Sequence, residues 1–241
     1  MAAEHIVKSY DEELTRLNNM IVEMGGLAES QLAAAVDAVN RRDSALASRV
    51  VEGDAEVDAL ERELDNLAIR LLALRQPMAI DLRQIFVALK IGSDLERICD
   101  YAANVAKRSI ALAQTPPIQP VHALPRMAHL ALALVKDVID AYVARDADKA
   151  LEVWRRDEEL DEMYASLFRE FLTYMMEDPR NIGAYTHLMF MAKNIERIGD
   201  HATNIAENLY YLVHGTPLTE ARPKGDKSSL EIVAPDSAGH G

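Results

Sequence analysis

Eleven residues occur twice in the 241-residue chain, one hundred positions apart and with seven identities: Glu96-Arg-Ile-Cys-Asp-Tyr-Ala-Ala-Asn-Val-Ala106 and Glu196-Arg-Ile-Gly-Asp-His-Ala-Thr-Asn-Ile-Ala206. Such a duplication restricts the fold to two copies of one structural unit. Within each copy Glu, Asp and Asn recur at i, i+4 and i+8, which spans about 80° around an α-helix at ~100° per residue. Each copy therefore carries one ridge of oxygen ligands.

The rest of the chain supports a helical unit. Good helix formers dominate, aromatics reach 5% and only 10 glycines interrupt 241 residues, so breakers are scarce. Ser9-Tyr-Asp-Glu12 has the pattern of a capping box and opens a first helix that reaches about Arg42, loosened at Gly25-Gly26. Asp43 caps a second helix, whose Val57, Leu60, Leu64, Leu67, Leu71 and Leu74 form a bundle stripe that ends before Pro77. A third helix runs from about Ile80 to Ala113 and stops at Thr115-Pro-Pro-Ile-Gln-Pro120.

The pattern then restarts, with helices from about His122 to Arg145, from Asp146 to Glu177, and from the Asp178-Pro179 signal to His214. Asp37, Arg42 and Asp43 match Asp140, Arg145 and Asp146, and Asp54/Asp58 match Asp157/Asp161, all offset by 103. The expected fold is all-α, two tandem three-helix bundles. Its boundaries are an N-terminal extension over 1–8, a first repeat over 9–114, a Pro-rich linker over 115–121, a second repeat over 122–214 and a tail over 215–241.

Charge and cysteine content narrow the function. A net charge of −13 with no basic stripe argues against direct nucleic-acid binding. The N-terminus has no apolar leader and no apolar stretch reaches membrane-span length, so a soluble, non-exported chain is expected. A single cysteine, Cys99, excludes an internal disulfide and a cysteine-based zinc site. Its counterpart is Gly199, which marks it as a small flanking residue rather than a nucleophile.

On a helical wheel Glu96, Asp100 and Asn104 lie nearly opposite Ile91, Leu95, Ile98 and Ala102, and the second copy repeats this. A carboxylate row facing away from a core is ordinarily a solvated surface. Three features argue for more. The acids persist while neighbours such as Lys90/Phe190 and Tyr101/His201 diverge. Small residues flank both ridges: Gly92, Cys99 and Ala103, and Ala192, Gly199 and Thr203. The Asp54/Asp58 and Asp157/Asp161 pairs add carboxylates on the preceding helices. Glu61 and Asp65 extend only the first row, opposite Tyr164 and Phe168 in the other repeat, and are assigned to solvated surface.

Gathered carboxylates repel unless protons or cations offset them, and oxygen-only sites suit hard ions. No histidine has Glu three residues before it, so the di-iron element of ferritin-like bundles is absent. The phosphate-loop, dinucleotide, zinc-protease and nucleophile-elbow motifs are also absent. His201 projects ~100° away from Asp200 and reads as an interface or surface residue.

The duplicated Glu-Arg-Ile-x-Asp-x-Ala-x-Asn-x-Ala ridge, the preceding Asp-x-x-x-Asp pairs and the six-helix layout closely resemble the PhoU family of phosphate-transport regulatory proteins. The resemblance covers roughly residues 5 to 214. It implies a cytoplasmic, non-enzymatic homodimer that restrains phosphate uptake and the phosphate-starvation response. Its partners would be a phosphate ABC transporter ATPase and a membrane sensor histidine kinase.

The resemblance also implies metal at Glu96, Asp100, Glu196, Asp200, Asp54, Asp58, Asp157 and Asp161, with Asn104 and Asn204 as weaker candidates. Iron is the favoured ion and multinuclear binding an option, with manganese, magnesium, calcium and zinc as alternatives. The competing readings of the same residues are a metal-dependent carboxylate-site enzyme and a metal-free helical scaffold.

Overall fold

The computed structural model describes residues 2–116, 123–220 and 222, the first eight of these by backbone only. They form six α-helices: α1 (Ala2–Arg41), α2 (Ser44–Arg75), α3 (Ile80–Ala113), α4 (Ala123–Ala144), α5 (Ala147–Glu177) and α6 (Ile182–His214). A 3₁₀ turn, Pro179–Asn181, precedes α6. The two three-helix repeats of the sequence are present, and no strand occurs among the described residues.

Two expectations about α1 fail. The helix already begins at Ala2, so residues 2–8 are part of it and Ser9 lies within it. A capping box acts only where the incoming chain is non-helical, and Ala-Ala-Glu-His-Ile-Val-Lys contains no breaker. Nor is α1 loosened at Gly25-Gly26. It runs unbroken, and a Cβ at Gly25 would stand 2.9 Å from Ile139 of α4, so that glycine lets two helices approach closely. Residues 117–121 of the expected Pro-rich linker lie outside the described residues, as does the expected start at His122.

The α1–α2 and α4–α5 turns are the same device. Arg42 (φ 53°) and Arg145 (φ 55°) adopt the left-handed conformation. Asp43 N–H donates to the Ala38 carbonyl and Asp146 N–H to the Ala141 carbonyl, both at 2.9 Å, the signature bond of a Schellman turn. Each Asp then caps the next helix, accepting from Leu46 N–H at 2.9 Å and Lys149 N–H at 3.0 Å. Arginine tolerates the left-handed strain because it is used elsewhere. The Arg42 guanidinium donates to the carbonyls of Leu112, Ala113 and Thr115 at the end of α3. Arg145 donates to Asn18 Oδ1 of α1.

The repeats join through α3 against α6 and α1 against α4, while α2 packs on α1 and α3 and α5 packs on α4 and α6. Thus α2 and α5 flank a central layer. One continuous core fills it, with Ile85, Ile91, Leu95 and Ile98 of α3 and Ile198, Ile205 and Leu209 of α6 fully buried. The diverging pairs seen in the sequence lie at this junction. Tyr101 and His201 meet each other with ring centroids 5.6 Å apart, and Arg108 stacks over Phe190 at 4.2 Å. Tyr101 and His201 thus face one another across the pseudo-symmetric seam, whereas Lys90 lies over Phe86 and Phe190 under Arg108.

Candidate functional site: two acidic clusters between helices

The ridges face neighbouring helices and are only partly open to solvent, with the Asp100 and Asp200 side chains 35% and 36% exposed. Because α3 and α6 sit centrally, each has an outer helix on the flank where its acids project. The Glu96/Asp100 ridge faces Asp54, Asp58 and Glu61 of α2, and the Glu196/Asp200 ridge faces Asp157 and Asp161 of α5. The wheel compared each ridge with one apolar stripe alone. It missed that Cys99, Ala103, Gly199 and Thr203, all buried, form a second contact face beside the acids. The outward placement is therefore replaced by two acidic grooves, α2/α3 and α5/α6.

Burial differs between them. Asp157 is 1% exposed, and Asp161 and Glu196 are each 5% exposed, whereas Asp54, Asp58, Glu96 and Asp100 are half-buried. Gly199 sets the depth of the second groove. A Cβ there would overlap Leu160 Cδ2 and stand 2.9 Å from Asp157 Oδ1, so its absence lets α5 bring Asp157 against α6. The counterparts are Val57 for Leu160 and Cys99 for Gly199, one side chain smaller and the other larger, which conserves volume across the repeats.

Confined carboxylates should resist ionisation. Burial, with Asp100 adding to it, pushes the Glu96 carboxyl up to about 7. Burial pushes Glu196 up to about 7 as well, against the lowering effect of Lys193. Asp54 is raised by burial, then by Asp100 and Asp58. Asp157 is raised by burial although Arg222 pulls it down. The Cys99 thiol, buried beside Asp54, is pushed well above its ordinary range.

Several participants were missed or misplaced by the sequence reading. Glu61 is not solvated surface: burial raises its carboxyl, and it in turn opposes ionisation of Glu96. Its spacing from Asp54 and Asp58 put it on the same helix face, a signal set aside because its counterpart is Tyr164. Lys193, three residues before Glu196, donates to Glu196 Oε1 at 2.7 Å. Asn204 does not join the second cluster. Its amide donates to Asp94 Oδ1 of α3 at 3.2 Å, where His201 Nδ1 also lies at 2.8 Å. His201 is thus an α3–α6 seam residue. Asn104 is half-buried on its ridge.

The tail supplies the least expected group. Arg222 places its guanidinium between α5 and α6, 2.6 Å from Asp157 Oδ2 and 2.7 Å from Asp200 Oδ1. No local pattern in the sequence announces it.

The donor set suits a hard cation, being carboxylate oxygen throughout. Two of these oxygens, Asp157 Oδ1 and Glu196 Oε2, are buried without a hydrogen-bond partner, a costly condition that a cation relieves. Among the described residues, no three Asp, Glu, His or Cys side chains converge on one point as they stand. The second cluster is arranged around a guanidinium instead.

Comparison with known proteins covers both repeats. The family model for the PhoU domain matches residues 21–109 and again 124–209, one match per repeat. The phosphate-specific transport system accessory protein PhoU homolog of Caulobacter vibrioides is 52% identical over 224 residues, covering 92% of this chain and 97% of that protein. The homolog of Rhizobium meliloti is 50% identical over 230 residues, covering 95% and 97%. Among solved structures, PhoU from Pseudomonas aeruginosa superposes with a TM-score of 0.84 at 41% identity, covering 86% of this chain and all of that one. The phosphate transport system regulatory protein PhoU from Streptococcus pneumoniae gives 0.81 at 27% identity, covering 88% and all of that chain.

Proposed function

The chain belongs to the PhoU family, and from that premise we propose that it is the accessory protein of a phosphate-specific transport system. It acts in the cytoplasm without catalysis, restraining phosphate uptake and the phosphate-starvation response. It does so by coupling the transporter ATPase to a sensor histidine kinase, and it works as a homodimer. The observation that carries this reading is that both repeats match the family and relatives named as accessory proteins align over more than nine-tenths of the chain.

The acidic grooves serve this role as metal sites. Asp54, Asp58, Glu96 and Asp100, with Glu61 beside them, would hold metal in the first, and Asp157, Asp161, Glu196 and Asp200 in the second. A hard ion, iron in preference to manganese, magnesium, calcium or zinc, supplies positive charge that offsets the carboxylates and ties each outer helix to its central one. The chain's own residues do the rest: Lys193 orients Glu196, and Gly199 sets the helix spacing. The orphaned Asp157 Oδ1 and Glu196 Oε2 support this assignment.

Deleting the gene and measuring phosphate uptake and alkaline phosphatase in phosphate-rich medium tests the regulatory role. Uptake and phosphatase should both rise, and unchanged values would refute it. Elemental analysis of protein purified without chelator or a metal-affinity column tests the sites. Bound metal should fall in Asp54→Asn/Asp100→Asn and in Asp157→Asn/Asp200→Asn protein, and metal-free wild-type protein would remove the metal assignment alone.

A further inference from the structure

We propose that Arg222 is a tethered cation that competes with a metal ion for the second acidic cluster, so that loading this cluster and seating Arg222 exclude each other. The inference rests on the metal reading above. It begins from position: one guanidinium bridges Asp157 of α5 and Asp200 of α6, the two helices an ion would tie. Burial works against the Arg222 charge, but Asp157 and Asp200 outweigh it and hold the group charged.

The chain is able to deliver this group. Asp200 lies 15 residues back along α6 from Gly215, roughly 22 Å at 1.5 Å per residue. Seven residues from Gly215 to Arg222 span at most about 25 Å. Gly215 (φ 79°) turns the chain at the end of α6, and Leu218 packs against the core. Pro217 and Leu218 line a pocket with Phe86, Glu207 and Tyr211, which guides the segment back along α6.

The plug is an imperfect match. It leaves Asp157 Oδ1, Glu196 Oε2 and its own Nε buried without partners. A guanidinium donates in a fixed plane, whereas a multivalent ion accepts oxygens from several directions. An ion is therefore able to displace it, yet must first break two charge-assisted hydrogen bonds. The cations of the first cluster are looser: Arg97, with its side chain 54% exposed, pairs with Glu96 and Asp100 of its own helix, and the exposed Lys107 acts on Asp54. The first cluster should load at lower ion concentration, and loading of the second should release Arg222.

The test uses full-length, chelator-treated protein titrated with Mn²⁺, and with Fe²⁺ under anaerobic conditions, by isothermal titration calorimetry. Asp54→Asn/Asp100→Asn silences the first cluster and isolates the second. Adding Arg222→Gln to that background should tighten ion binding about tenfold or more. Limited trypsin cleavage after Lys224, followed by mass spectrometry, should accelerate when the ion is added to the Asp54→Asn/Asp100→Asn protein, and be fast with or without ion once Arg222→Gln is added. Equal ion affinity with and without Arg222, or cleavage indifferent to bound ion, overturns the proposal alone. Absence of ion binding in every variant overturns the metal reading, and this proposal with it.

Discussion

Replacing Glu196 by Gln should stabilise the metal-free protein above neutral pH and change it much less in mild acid. The Glu196 side chain is 6% exposed, its Oε2 lacks a partner and its carboxyl is pushed from 4.5 up to about 7. A raised folded-state value means that between pH 4.5 and 7 the native state binds more protons than the unfolded chain, so stability falls as pH rises through that window. A shift of this size corresponds to about 3 kcal/mol at pH 8, at roughly 1.4 kcal/mol per unit. Gln has the shape of the protonated acid and never ionises. The variant should therefore exceed wild type by no more than about 1 kcal/mol at pH 5 and by up to about 3 kcal/mol at pH 8.

Urea unfolding of chelator-treated protein at pH 5, 6, 7 and 8 measures this as a midpoint shift at constant slope. A variant no more stable than wild type at pH 8, or an equal difference at pH 5 and 8, would refute the view that buried charge strains this cluster. Adding Mn²⁺ at pH 8 should narrow the gap, because the ion offsets charge that Gln does not carry.

Other substitutions probe the packing around the site. Gly199→Ala gains about 1 kcal/mol of helix propensity but forces Leu160 and Asp157 aside, so thermal melts should show a net loss of about 1 to 2 kcal/mol. The double change Gly199→Cys/Leu160→Val, which copies the first repeat, should be more stable than Gly199→Cys alone. Arg42→Gly relieves the left-handed backbone (φ 53°) yet removes three hydrogen bonds from the end of α3. A net urea-measured loss of roughly 1 kcal/mol is expected, and more for Arg42→Ala. Cys99, buried with its thiol pushed up, should react with a disulfide reagent at pH 8 only on unfolding. Rapid stoichiometric labelling of native protein would contradict that burial.

The electrostatics suggest why such a protein is built twice. Each groove strains an outer helix against a central one, and the central helices pack on each other. A change of charge in either groove therefore acts next to the seam held by Asp94, His201, Tyr101 and Arg197. The second groove is deeper and holds two half-buried cations, Lys193 and Arg222, while the first has the exposed Arg97 and Lys107. Two copies of one motif have thus become electrostatically unequal.

The sequence by itself determined the six helices, the repeat and the carboxylates that share a face. These are local matters of backbone hydrogen bonding, capping and 3.6-residue periodicity, so Asp43 and Asp146, Pro77 and Pro179 marked the boundaries. Even there α1 outran its signal, since Ser9 resembles a cap only if the preceding residues are not helical. Tertiary structure alone decided what covers each ridge. A wheel locates Glu196 relative to Ile195 and Ile198, but whether α5 lies over it depends on the helix having neighbours on three sides, a property of the assembled bundle. The same holds for Asn204, drawn across the seam by Asp94 110 residues away, and for Arg222, paired with Asp157 across 65 residues. Contacts of such separation leave no periodic trace, because they arise only where packing brings remote segments together and excludes the water that would otherwise screen them.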